Sequence, residues 1–148
     1  MTLGLIPNQD QVLSEMVRVL KSEGTLSIST HGPELYFEAC EATFRALPKN
    51  IVLGYRVEFW PREEKEIFHM FSKAGLKNIS TQRLNWKEHF NDGGEAYDFF
   101  ASTSSAWWYS RIPSDKVESI SQKVRAAFEQ KRITEITTDV ILAYGCKP

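Results

Sequence analysis

The sequence predicts an α/β domain with a small, mostly parallel sheet, and three observations lead there. The stretch Asn8 to Thr30 runs from an amphipathic helical pattern through a glycine into a short extended run, which is the αβ half of a βαβ unit. The last stretch, Ile133 to Gly145, alternates as Ile136, Thr138, Val140, Leu142 and Tyr144, the period of a strand. Composition is that of an ordinary globular chain, with 42% hydrophobic and 25% charged residues and a formal net charge of −1. At 148 residues the chain is expected to form one domain, residues 1–148.

Taken in order, Met1 to Pro7 is too short and too apolar for a free tail and reads as the end of a preceding element. Val12, Leu13, Met16, Val17, Val19 and Leu20 then put a broad apolar stripe on one side of a helix. Asn8 or Asp10 can cap its start, while Lys21 and Gly24 close its end, Gly24 being free to turn left-handed. Thr25 to Thr30 extends as a strand. His31-Gly32-Pro33 breaks it, and Pro33 suits the first turn of a helix that carries Tyr36, Phe37, Cys40, Phe44 and Leu47.

Cys40 reads as core, because its neighbours are acidic and would raise a thiol pKa. Ile51 to Trp60 is rich in β-formers but interrupted by Gly54, so it is a short strand, a bulge or a loop. Pro61 starts a helix with Ile67, Phe68 and Phe71 on its buried face, and Gly75 ends it. The mixed polarity of Lys77 to Trp86 predicts a strand at a sheet edge. An aromatic-rich insertion of about residues 87–113 follows, helical from Glu95 to about Tyr109. Ser114 then caps a helix that turns Val117, Ile120, Val124 and Phe128 inward.

Several classes of function have no footing. Eighteen Lys and Arg against nineteen Asp and Glu leave no basic surface for a nucleic acid. Cys40 and Cys146 stand far apart without CxxC or His companions, and no histidines have H-x-x-x-H spacing, so neither a disulfide framework nor a metal site is expected. No apolar run approaches the roughly 18 residues of a membrane span, and no leader pattern opens the chain. A cytoplasmic protein is the expectation.

The run LSEMVRVLKSEGTLSIST closely resembles the segment l.EmvRVLKPGG.l.is of class I S-adenosylmethionine-dependent methyltransferases of the small-molecule type, with Ser22-Glu23 where Pro-Gly is usual. FSKAGLKNIS resembles the family's l..aGF..i., and the closing AYGCKP resembles its a.G.KP ending. The resemblance runs from Leu3 to Pro148 but covers only the second half of the family's domain. It implies the C-terminal half of a Rossmann-like methyltransferase fold, with about three main strands, the last antiparallel, flanking helices and the aromatic-rich insertion. The family's glycine-rich turn and the acid after its second strand have no counterpart, since no two of the eight glycines have G-x-G spacing.

What the resemblance implies for function is methyl transfer from S-adenosylmethionine to a small molecule, a displacement in which alignment supplies most of the catalysis. Leu3, Gly4 and Leu5 match the loop that passes the cofactor. Ser29-Thr30-His31 would face the substrate cleft at a strand's carboxyl end, and His31 is the candidate base. Tyr97, Phe99, Trp107 and Trp108 are the candidate substrate-binding residues, in a segment that caps the family's substrate pocket. Their rings read equally as the core of the insertion, or as a cage for a cationic ligand.

Without the glycine loop, the isolated chain is expected to be inactive and to fail to bind S-adenosylmethionine unless a missing half is supplied. The alternative is a non-catalytic binding or scaffold module that uses the aromatic pocket or the exposed sheet edge. A third reading is a small α+β binder of hydrophobic ligands. The strand at Thr25 lacks the neighbour it has in the family, so a homodimer, or another protein covering that edge, is expected.

Overall fold

The computed structural model describes residues 3–47, 61–109 and 112–148. The reading of Ile51 to Trp60 lies outside the described residues. They form two compact units, one of residues 3–35, 61–85 and 139–148 and the other of 36–47, 86–109 and 112–138.

The first unit holds helix α1 (Gln9–Val19), strand β1 (Thr25–His31), helix α3 (Glu64–Lys73) and most of strands β2 (Lys77–His89) and β3 (Glu135–Cys146). Sheet order is β1-β3-β2, so the last strand in sequence is the central one. It runs antiparallel to β1, from Thr25 opposite Cys146 to His31 opposite Val140. Three strands with an antiparallel last one agree with the expected fold class. The mostly parallel sheet does not form, because β3 inserts between β1 and β2 and reverses the pairing. Among the described strands β2 lies at an edge, as its polarity predicts.

Asn8 caps α1, its Oδ1 accepting from the Gln11 amide. Leu13 is fully buried and packs with Ile67, Phe71, Leu76, Ile141 and Ala143. The expected broad stripe is only half used, since Met16 and Val19 remain 37% and 69% exposed. At the turn into β1 the left-handed residue is Glu23 (φ 61°), not Gly24. Gly24 is needed for closeness instead, because a Cβ there would lie 2.8 Å from the Lys21 carbonyl oxygen. α3 begins at Glu64, later than Pro61, and ends on Gly75 at φ +89°, where a side chain would strain the backbone.

β3 contradicts the simplest reading of its alternation. From Asp139 onward the odd residues, Asp139, Ile141, Ala143 and Gly145, are buried, while Leu142 and Tyr144 are exposed. The inward set is small because Gly145 meets Leu76 and Phe71, which leave no room for a Cβ without movement. A strand's inner face is decided by what fits beneath it as well as by hydrophobicity.

The second unit packs α2 (Phe37–Ala46), α4 (Gly93–Tyr109) and α5 (Val117–Lys131) around Ala39, Ala42, Ala96, Phe100, Ile120, Val124, Phe128 and Ile136. Residues 33–36 form a turn, so α2 starts at Phe37 after a left-handed Tyr36 (φ 56°), and Pro33 is not its first turn. Phe37 accordingly points to solvent. α4 opens with a capping box: Asp92 Oδ1 accepts from the Glu95 amide and the Glu95 carboxylate accepts from the Asn91 amide. Ser114 opens a short 3-10 turn that leads into α5. Ile120, Val124 and Phe128 face inward as the spacing predicts.

Candidate functional site at the carboxyl end of β1

The carboxyl end of β1 is built around a carboxylate from the central strand. Asp139 is fully buried. Arg83 on β2 donates to it through Nε (2.8 Å to Oδ1) and Nη2 (2.9 Å to Oδ2), the bidentate geometry that suits guanidinium and carboxylate. The Glu34 amide donates to Oδ2 at 2.7 Å, and the Gly32 amide donates to the Asp139 carbonyl at 2.9 Å. Arg83 also reaches the Glu34 carboxylate at 3.0 Å, where Asn85 Nδ2 donates as well. Hydrogen bonding to Asp139 pushes the Arg83 pKa up, so its charge is permanent.

Gly32 completes the arrangement. A Cβ there would lie 2.2 Å from the Asp139 carboxylate, so only glycine lets the chain leave β1 across this pair. With its carboxylate held by three donors, Asp139 is a clamp for the turn and not a base. This network was missed in the sequence. Its signal was a lone acid, Asp139, inside the otherwise apolar and hydroxylic run ITTDVILAYG, since an acid in such a run must find a cation when buried.

His31 closes β1 opposite Val140. Burial lowers its pKa below the ordinary 6.5, which keeps the ring neutral at pH 7 and able to take up a proton. Thr30 is buried, with no hydrogen-bond partner for its hydroxyl among the described residues. Leu3 and Gly4 are buried in a 3-10 turn, Leu3–Leu5, that packs against β1. The structure therefore brings the predicted cofactor segment and the strand carrying His31 together.

The predicted substrate residues belong to the second unit. Tyr97 is core there, edge-on to Phe128 with centroids 5.7 Å apart and hydrogen-bonded through its hydroxyl to Ser121. Arg125 sits 5.4 Å from its ring centroid, so the face that a cationic ligand would use is taken by the chain's own guanidinium. Phe99 is half-buried against Phe90 and Tyr36. Trp107 and Trp108 lie in α4, and their side chains are outside the described residues. Cys40 packs in this core, and burial pushes its thiol up to about 12. Among the described residues there is no group of three metal-ligating side chains and no helix long and apolar enough to cross a membrane.

No protein-family model matches the sequence, and no curated protein matches it. Solved structures do. The BH2331 protein of Bacillus halodurans C-125, assigned as a methyltransferase, superimposes on 99% of this chain with 17% identity and a TM-score of 0.51. The YcgJ protein of Bacillus subtilis superimposes on 98% with 18% identity and a TM-score of 0.50. The chain spans 61% and 60% of those two proteins' lengths. The architecture is thus a partial Rossmann-like methyltransferase fold of mixed α/β class. A phosphoethanolamine N-methyltransferase of Haemonchus contortus, solved with phosphomonomethylethanolamine and S-adenosylhomocysteine, is similar at 10% identity and a TM-score of 0.46, with 31% of its length covered.

Proposed function

We propose that the chain is a methyltransferase module whose reaction is methyl transfer from S-adenosylmethionine to a small molecule, and that it is inactive alone. The fold carries this reading, together with a neutral, half-buried histidine at the carboxyl end of β1, where open α/β sheets bind ligands. Leu3, Gly4 and Leu5 would line the cofactor's path. His31 would take the proton from the acceptor. The acids of the β1 site do not suit the cofactor's ribose, because Asp139 is engaged with Arg83 and Glu34 with Arg83 and Asn85. A donor set from elsewhere is needed, which accords with a chain spanning about three fifths of the similar structures. The exposed flank of α1 favours a second reading, a non-catalytic scaffold of the same fold.

Calorimetric titration of the isolated chain with S-adenosylmethionine tests the dependence. No binding is expected below about millimolar cofactor. Micromolar binding would mean that the chain builds the cofactor site unaided, and the requirement for completion would fall.

A further inference from the structure

We propose that Lys147, just after β3, is a latch on the last turn of α1, and that removing its one positive charge opens that turn while the rest of the unit stays folded. The carbonyls at a helix end lack intrahelical partners and carry the negative end of the helix dipole. In α1 the chain leaves the helix at Leu20, whose backbone is extended at ψ 144°. Lys147 Nζ donates to the Leu20 carbonyl at 2.8 Å and to the Arg18 carbonyl at 3.2 Å. Bonds from a charged donor are the stronger kind. The cations of α1's own stretch do not serve this end. Arg18 turns back to Glu15 at 2.8 Å. Lys21, the cation that the sequence assigns here, is exposed, and its ammonium has no partner among the described residues.

The main chain of the same residue pins the turn that follows. The Glu23 amide donates to the Lys147 carbonyl at 3.0 Å, and the Lys147 amide donates to the Gly24 carbonyl at 2.8 Å. Glu23 is the left-handed residue of that turn, at φ 61°, a conformation that costs a residue with a Cβ. Side chain and main chain of Lys147 therefore hold both sides of the junction between α1 and β1.

The division of anchors along α1 makes this contact a latch. The first half of the helix is fixed by the Asn8 cap, the Asp10 pair with Lys73 and the buried Leu13. Val17 is the last residue to pack against the apolar cluster, for Arg18 and Val19 are exposed and Leu20 is half-buried. With so little apolar area to hold it, the last turn depends on the ammonium, and segments of that kind open at low free-energy cost. When the ammonium is lost, the two main-chain bonds of Lys147 and the pairing of Thr25 with Cys146 remain. The strand register is kept and the opening stays local.

Hydrogen exchange of the full chain, read by mass spectrometry on peptides spanning residues 17–24 and 64–73, tests this. Lys147→Met keeps the aliphatic stem and removes the charge. It should speed exchange in 17–24 about tenfold, the equivalent of one charge-assisted hydrogen bond. Exchange in 64–73, which is α3 of the same unit, should not change. Lys147→Arg should retain protection, because a guanidinium also donates to helix-end carbonyls. Lys21→Met should leave both peptides as they are. Unchanged exchange of 17–24 in Lys147→Met, an equal rise in both peptides, or an equal effect of Lys21→Met overturns the proposal. The readout is amide protection and not cofactor binding, so it stands or falls separately from the methyltransferase reading.

Discussion

Asp139 is the residue on which the turn after β1 depends. It is fully buried, and it accepts from both nitrogens of Arg83 and from the Glu34 amide. Removing the carboxylate strips the Glu34 amide of its acceptor and leaves Arg83 with the Glu34 carboxylate alone, over a newly opened cavity. Asp139→Ala should therefore lower unfolding free energy by about 3 kcal/mol, read from the denaturant midpoint. Gly32→Ala drives a methyl into the same carboxylate and should cost about 2 kcal/mol. The double variant should lose clearly less than the two losses combined, because the clash disappears with the carboxylate. Additive losses would show that Gly32 is required for some other reason. The role of Gly32 was not legible in sequence. A glycine required by a neighbour's side chain looks like any other until the neighbour, 107 positions away as Asp139 follows Gly32, is known.

Among the elements, α1 was the most legible and also the most instructive. Its cap, length and buried Leu13 follow from local spacing, and Asn8 caps it as expected. Asn8→Ala should cost about 1 kcal/mol and reduce helical signal; an unchanged midpoint would mean that packing by Leu13 alone holds the helix. What the spacing could not tell was how much of the stripe would be covered. Hydrophobic periodicity gives the face that prefers burial, while burial itself depends on neighbours brought from elsewhere in the chain. β3 makes the same point more sharply. Its even residues carry the larger apolar side chains, yet Leu142 and Tyr144 face outward because Ile141, Ala143 and Gly145 are the ones that fit against Phe71 and Leu76.

For the whole molecule the fold class was legible and much of the site was not. Helix order, three strands and the edge position of β2 came from periodicity and resemblance, whereas the Asp139 clamp and the Arg125 stacked on Tyr97 are long-range pairings. Stability should fall on acidification, for two reasons of the same sign. Burial lowers the His31 pKa, so the unfolded chain binds the proton more readily and stability declines as pH drops below 6.5. Burial raises Glu38, but the Thr137 hydroxyl and amide bonds outweigh it and hold its carboxyl below the usual 4.5. That contribution is present above 4.5 and is lost as pH falls through the lowered value. His31→Asn should flatten the decline between about pH 5 and 7 while leaving the more acidic part intact. Denaturant midpoints across pH would show it, and parallel curves would exclude His31 as the source.

The central place of β3 also constrains how the protein is made. β1 is complete at His31, but its only described partner begins at Glu135 and ends at Cys146. During synthesis at about 5–20 residues per second, β1 therefore waits roughly 5–20 seconds for β3. Among the described residues no hairpin shelters it locally, so the β1–β3 pairing forms only once residues 135–146 have been made. Nascent chains are thus more exposed to strand-mediated aggregation and to chaperone capture than the finished protein, and loss of the last strand would leave β1 and β2 with no common neighbour.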